Sequence, residues 1–372
     1  MTPLDRRTFL KIGGAGLFGV AIAPLIAGCE SVVEPDRTLE GFTPFITPTD
    51  RFYVQNGGQD TIAGWSMPDI TRETWLMQIK GEVATPATLT VGDLEAAAAA
   101  GQERTILKTM RCVLDSHLRP GALGWTGNAF WTGVPLRYFL ERAGLDRANT
   151  KRINFRGADG FTNNITLERY GSADLGAMEP LLVYRMNGEP LTREHGGPVR
   201  LLLLETYGYK SIKWITEVNA SIFNTPTGQY QREGFVDDGV IRVSSRSENV
   251  SENLTVRAGL VEITGFAVSG YGAVSRVEVS IDDNPFAAAE IEPLERLLHA
   301  VVLPPTIVQL ADRNAYPYRG VWTKWRMRWN APAGEHTVAI RAIDSAGNTQ
   351  EEDDLEIRDG QTGVVRYTVR VS

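Results

Sequence analysis

The chain of 372 residues sets 38 lysines and arginines against 45 aspartates and glutamates, a formal net charge of −7. No basic run interleaves with aromatics, so nucleic acid has little support as a partner. A 42% hydrophobic share with 22% charged residues is ordinary for a soluble globular protein, and two cysteines are too few for a disulfide framework.

At the N-terminus, Asp5-Arg6-Arg7-Thr8-Phe9-Leu10-Lys11 precedes an apolar run from Ile12 to Ala27. That run is too short and glycine-rich for a spanning helix of ~20 residues. Paired arginines before it read as a twin-arginine (Tat) export signal over residues 1–29. Ile26-Ala27-Gly28-Cys29 reads as a lipobox with Cys29 as the lipidated residue; a plain cleavage site that contains a cysteine is the alternative. Acyl chains, at ~0.8 kcal/mol per buried methylene, would tie the chain to a membrane without spanning it. Residues 30–45 then form a polar tether, and the expected location is the periplasm or cell envelope.

Residues 46–248 mix helix-like and strand-like segments. Thr90-Val91-Gly92-Asp93-Leu94 opens a helix, with Asp93 as its cap, that runs to Gly101. Pro135 to Gly144 has proline at its first turn and glycine at its end, which predicts another. Val199–Leu204 and Trp214–Val218 have strand character. The texture is α+β, without the regular alternation of a doubly wound sheet.

Residues 249–372 change to short strands separated by turns. Arg276–Ile281 alternates with period two and ends at Asp282-Asp283-Asn284-Pro285. In Trp322–Trp329 the residues Trp325, Met327 and Trp329 share one face, and Lys324, Arg326 and Arg328 the other. Thr337–Ile343 runs into the turn Asp344-Ser345-Ala346-Gly347-Asn348. This spacing predicts an all-β, immunoglobulin-like sandwich. Residues 287–320 form an apolar, proline-containing excursion to which no element is assigned.

Cys112 is the one thiol left once Cys29 is set aside. Its thiolate is a soft ligand for a metal already bound to sulfur, and Arg111 would favour its charged form. The commonest fate of such a cysteine is instead that of a small buried hydrophobe. Four histidines (His117, His195, His299, His336) lack ligand spacing, so a zinc site has no support. No Cys-x-x-Cys-His is present for a covalent c-type haem.

The segments around Cys112 resemble, in order, the sulfite oxidase-fold family of molybdopterin-dependent oxidoreductases, over nearly all of the mature chain. They are Met110-Arg111-Cys112-Val113; Gly127 to Leu136 with its Trp-Thr-Gly-Val-Pro-Leu; Ala158-Asp159-Gly160-Phe161; Met186 to Leu191; Glu194-His195-Gly196-Gly197-Pro198-Val199-Arg200; and Tyr207 to Trp214. The resemblance implies a sulfite oxidase-type molybdopterin-binding domain, a Mo-molybdopterin cofactor and Cys112 as the molybdenum ligand. It implies that Arg200 and Lys213 hold the cofactor's phosphate, that Asp159 and His195 meet its ring edge, and that Gly196 and Gly197 let backbone approach it. Tyr53, Val54, Gln55, Asn56, Ser211 and Ile212 complete the implied cofactor contacts, and the C-terminal region would be a homodimerisation domain.

The pattern also departs from that family. Gln55 and Gly57 stand where an arginine and a histidine are expected, and Cys112-Val113-Leu114-Asp115-Ser116-His117 puts His117 where an arginine is expected and adds the charge of Asp115. Lys324 takes the place of an arginine between tryptophans, and the tyrosine expected after the Trp214 strand is not clear around Thr225 to Tyr230. Such changes weaken the hold on a dianion such as sulfite. Cys112, His117, Gln55 and Arg111 are the candidate catalytic residues. The expected function is oxygen-atom transfer, oxidase-like on sulfite or a related small substrate. An external electron carrier, a cytochrome or a membrane donor or acceptor, would complete it. The alternatives are an S-oxide (methionine-sulfoxide-type) reductase on the same fold and a cofactor-free envelope lipoprotein.

Overall fold

Period-two apolar patterning outweighs helical periodicity along this chain, and the result is mostly β-structure with a few short helices. The computed structural model describes residues 43–115, 124–171, 179–305, 307–354, 356–360 and 362–372. The expectations for the export signal, Cys29 and His117 lie outside these residues. The helical share of the first region is smaller than its mixed texture suggested.

Two sheets build that region. One orders Ala87–Leu89, Met77–Gly81, Ile215–Ser221, Arg152–Gly157 and Thr162–Thr166 across its width. The other orders Arg104–Arg111, Thr126–Pro135, Leu181–Met186 and Glu189–Pro190, with Arg200–Leu202 also paired to Leu181–Met186. Strands Arg104–Arg111 and Thr126–Pro135 are buried almost throughout, so they read as continuous rather than alternating apolar runs. Their antiparallel register ends at Arg111 opposite Thr126, and the Cys112 amide then donates to Trp125 O at 2.8 Å. Cys112 is thereby fixed at the strand's end.

The helix expected from Thr90 forms over Val91–Ala97, but Thr90 is its cap and Asp93 completes a reciprocal capping box. The second helix, Leu136–Arg142, follows Pro135 and stops before Gly144 at φ 71°. The Val199–Leu204 strand shortens to Arg200–Leu202. The Leu203 amide leaves the ladder to bond Ser211 Oγ at 3.1 Å, and Glu205 turns the chain at φ 63°.

The C-terminal region contains two more sheets. Ser244–Ser247, which lies before the boundary expected at 249, joins Gly259–Val268, Thr323–Ala331 and Glu290–Ile291 in one; Leu254–Val256, Val365–Val371, Gly334–Asp344, Val274–Ile281 and Ala287–Ala288 form the other. Ile263 and Trp325 of the first share a core with Val277, Val338, Ile340 and Val369 of the second. Each such side chain, fully buried, contributes about 1.5–3 kcal/mol. The opposite face of Thr323–Ala331 is covered at its first half, where Lys324 meets Glu248 and Arg326 meets Glu292, while Arg328 is exposed.

The excursion over 287–320 closes the open edge of the Cys112 strand. Helix Leu294–Leu298, Ile307 and Tyr318 join the core of the first region. Gln309 mimics a ladder partner, accepting from Leu107 N at 3.1 Å and donating to Leu107 O at 2.7 Å. Thr109 N reaches Gly320 O at 3.0 Å, so an edge that would otherwise invite pairing is satisfied internally.

Candidate functional site

Cys112 is half-buried. From it the site extends through Met110, two residues earlier, on the strand that ends at Arg111. Met110 accepts a 3.6 Å contact from Arg200 Nη2, and Arg200 lies over the Trp131 ring at 5.2 Å. Phe52 packs edge-on against both Trp131 and His195, at 5.6 and 5.7 Å, and stacks on Tyr53 at 5.4 Å. The Tyr53 hydroxyl lies beside Gly208, where a Cβ would come within 3.0 Å of it. Burial raises the Tyr53 pKa well above its ordinary value; the neighbouring Cys112 adds to this, while Arg200 opposes it. Sequence-distant Tyr53, Cys112, His195 and Arg200 therefore share one site.

Arg200 is the distinctive charge. It is buried, its Nη1 donates to His195 O at 2.9 Å, and its Nε has no hydrogen-bond partner among the described residues. Burial pushes its pKa down to about 10. Lys213 lies near enough for the two cations to repel. Burial first and Arg200 second hold the Lys213 ammonium at about 7, while it donates to Asn56 Oδ1 at 2.9 Å and Glu194 O at 2.5 Å. Burial likewise lowers the pKa of His195, with Arg200 and Lys213 adding to the effect; its Nε2 lies 3.1 Å from Thr49 O. Asp159 accepts from Phe161 N at 3.0 Å, and burial raises its pKa. Arg200 and Lys213 are thus two clustered cations without an ion-paired carboxylate among the described residues, an arrangement chemically suited to an anion.

The remaining expected contacts are mixed. Val54 is exposed, Gln55 and Asn56 are half-buried, and Ser211 and Ile212 are buried. The Ile212 carbonyl accepts from Leu201 N at 2.8 Å. Gly196 and Gly197 make room for the protein's own chain: a Cβ at Gly196 would meet Lys213 Cα at 3.0 Å, and one at Gly197 would strike the Leu191 carbonyl. Gly57 similarly accommodates the Phe161 ring, 2.7 Å from a Cβ placed there.

On the other side of Cys112 the charges are matched. Asp115 is fully buried and accepts from Trp125 N at 3.0 Å and from Thr126 Oγ1. Arg246 Nη2 lies 3.1 Å from its Oδ2, and Arg111 Nε lies 3.9 Å away. Burial alone would raise the Asp115 pKa, but Arg246, Arg111 and these hydrogen bonds outweigh it and hold the carboxyl low. The Arg111 guanidinium also bonds Ser244 Oγ and donates to Asp115 O at 2.8 Å. Lys324, the expected stand-in for a substrate arginine, is fully buried; it contacts Glu248 at 2.6 Å and lies over Trp322 at 3.9 Å.

Tyr230 is the residue that sequence reading left unassigned. It lies on the turn Gln229–Arg232, stacks on Tyr209 at 4.9 Å and packs against Phe161 at 5.9 Å. Its pKa is raised by burial and next by Cys112, which places it beside the thiol. Its place in the interval after the Trp214 strand was the available signal.

Residues 64–228 match the family model of the oxidoreductase molybdopterin binding domain, and residues 238–369 that of the Mo-co oxidoreductase dimerisation domain. The chain is 27% identical over 356 residues to an NAD(P)H nitrate reductase of Hordeum vulgare, covering 83% of this chain and 37% of that protein. It is 26% identical to the mitochondrial sulfite oxidase of Drosophila melanogaster, covering 56% of it, and 25% identical to the sulfite oxidase of Arabidopsis thaliana, covering 85%. The chain thus spans only about a third to a half of the first two relatives. The sulfane dehydrogenase SoxCD of Paracoccus pantotrophus shares its fold, with a TM-score of 0.65 at 20% identity over 96% of this chain and 94% of that one.

Proposed function

We propose, because the chain belongs to the sulfite oxidase family of molybdopterin-dependent oxidoreductases, that it carries out oxygen-atom transfer on sulfite or a related small sulfur substrate and passes the electrons to an external acceptor. The observation that carries this reading is the buried Arg200 with its unmatched Nε, set beside Lys213 in one site with Cys112. A guanidinium without a carboxylate partner among the described residues fits a terminal phosphate. His195 and Asp159 fit the polar edge of a fused ring, and the Cys112 thiol fits a soft metal ligand.

Bound there, the molybdenum-pterin group would supply the redox and oxygen-transfer chemistry. The protein's own work is binding and placement. Arg200 and Lys213 would hold the phosphate; Asn56 positions the Lys213 ammonium, and Trp131 stacks beneath Arg200. Tyr53 and Tyr230 lie near Cys112, Phe161 packs against Tyr230, and Gln55 is the polar residue of the same stretch as Tyr53. Near Cys112, Arg111 and Arg246 share the single carboxylate of Asp115, which fixes both guanidiniums to the protein itself.

A second reading, an S-oxide reductase, is favoured by the engagement of both arginines with Asp115 and by Gln55 and Gly57 in place of charged residues. Turnover of the purified enzyme with sulfite plus an oxidised cytochrome, against anaerobic turnover of methionine sulfoxide with reduced dye, separates the two. Activity with sulfite alone removes the reductase reading. Cys112→Ser should abolish turnover and change the molybdenum spectrum with the fold intact; unchanged turnover would mean that Cys112 is not the ligand.

The wider reading supported by the sequence is an exported enzyme. The twin-arginine segment and lipobox support Tat export and a lipid anchor at Cys29, hence a periplasmic or envelope location. The two-sheet C-terminal region is read as an immunoglobulin-like homodimerisation unit, and the electron carrier as a cytochrome or a membrane partner.

A further inference from the structure

We propose that Asp115 is a positioning residue for the metal ligand, and that through it the C-terminal region sets the orientation of Cys112. The inference rests on the reading of Cys112 as the molybdenum ligand. Its basis is a knot of contacts that the cofactor cradle does not use.

Cys112 sits in a turn rather than within the strand. Its amide is anchored to Trp125 O, and its carbonyl accepts from the Asp115 amide at 3.0 Å. The turn therefore follows Asp115, whose carboxylate is held by the neighbouring segment and by Arg246, with Arg111 Nε at 3.9 Å. Trp125 N and Thr126 Oγ1 bind it from the adjacent strand. Arg246 reaches it with Nη1 at 3.3 Å and Nη2 at 3.1 Å, across 131 residues of sequence, from the strand Ser244–Ser247. Arg111, the residue before the ligand, closes the knot by bonding Asp115 O and Ser244 Oγ.

Two further features identify this as a built device rather than an incidental ion pair. The carboxylate is completely buried. Gly124, at φ 48°, is held so close that a Cβ would strike Asp115 Oδ1 and come within 3.2 Å of the Arg246 guanidinium. A glycine is required there by both backbone conformation and space. The Asp115 amide bonds the Cys112 carbonyl, and its carboxylate bonds Trp125, whose carbonyl holds the Cys112 amide; loss of groups that orient a metal ligand typically costs on the order of 10–100-fold in metal affinity or activity.

The strand Ser244–Ser247 pairs with Gly259–Val268 of the C-terminal sheet, within the stretch matched by the dimerisation model. The knot is thus a direct mechanical route from that region to the Cys112 turn. A displacement of the strand would reach the ligand through two guanidiniums and one carboxylate.

The test uses purified holoenzyme carrying Asp115→Asn, a near-isosteric change that removes the charge. We expect molybdenum retention under dialysis to fall about tenfold or more, and the electron paramagnetic resonance signature of the reduced metal to shift, because the sulfur ligand is reoriented. Gly124→Ala should move the same signature without touching any charge. If Asp115→Asn does not fold, Arg246→Lys carries the test, since it keeps a cation but loses the two-pronged contact. Parental signature and metal content in the folded variants, even with lower thermal stability, would overturn the proposal and leave Asp115 a structural residue only. Cys112→Ser is the control for the underlying reading. If it leaves the metal signature unchanged, the ligand assignment fails. If it changes the signature while Asp115→Asn and Gly124→Ala do not, only the positioning role fails.

Discussion

Two pairs of basic side chains are arranged around Cys112, and the protein treats them in opposite ways. Arg111 and Arg246 converge on the buried Asp115. Arg200 and Lys213 have no ion-paired carboxylate among the described residues, and burial lowers the pKa of both, with Arg200 lowering that of Lys213 further. A buried cation with a carboxylate belongs to the protein's own architecture. Arg200 and Lys213, clustered without one among the described residues, suit an anion that the protein does not itself supply.

That contrast predicts opposite responses to the same kind of substitution. The largest expected effect is on the matched side. Arg246→Met should leave Asp115 buried with only the more distant Arg111 nearby, at a cost of about 3–5 kcal/mol in folding stability. Denaturant unfolding measures it; a loss under about 1 kcal/mol would show that the pair is not scaffold. On the unmatched side, Arg200→Met removes a buried charge that nothing in the fold neutralises. Protein produced without molybdenum should then keep its stability or gain about 1 kcal/mol. Cofactor retention should fall on the order of 100-fold through the lost charge-assisted hydrogen bonds. A large stability loss in that cofactor-free variant would erase the distinction between the two sides.

The cradle was the more legible half of the site. His195, Arg200 and Lys213 lie in two short continuous segments, so local sequence held most of the pattern. The scaffold half was not legible, because Asp115 and Arg246 meet only when a C-terminal strand folds across the first region. Lys324 illustrates the same limit: alternation assigned its face correctly, yet only the fold shows Glu248 and Trp322 covering that face. The strands of the C-terminal region were legible from period-two patterning. The excursion over 287–320 was not, since its role as an edge cover depends on Gln309 imitating backbone. Tyr230 follows an irregular loop in which spacing carries no register.

The smallest predicted effect tests the cradle by pH. Lys213 sits at about 7 in the ligand-free protein, below the ordinary lysine value, because burial and Arg200 both disfavour its charge. A bound anion favours that charge, so binding must raise the Lys213 pKa and take up a proton when the pH lies between the free and bound values. Below about 7 the ammonium is already formed and affinity should be flat. Above it, affinity should fall as pH rises, by at most about tenfold per unit, until the bound-state pKa is passed. Sulfate is the suitable probe for protein produced without cofactor, because its own charge does not change over this range. Arg200, at about 10, stays charged from pH 7 to 9 and should hold the residual affinity. Calorimetric titration should therefore show proton uptake and weakening affinity in the parent protein. In Lys213→Met it should show weaker, pH-independent binding. A parent affinity that stays level from pH 7 to 9 would mean that Lys213 does not face the anion, and Arg200 alone would define the cradle.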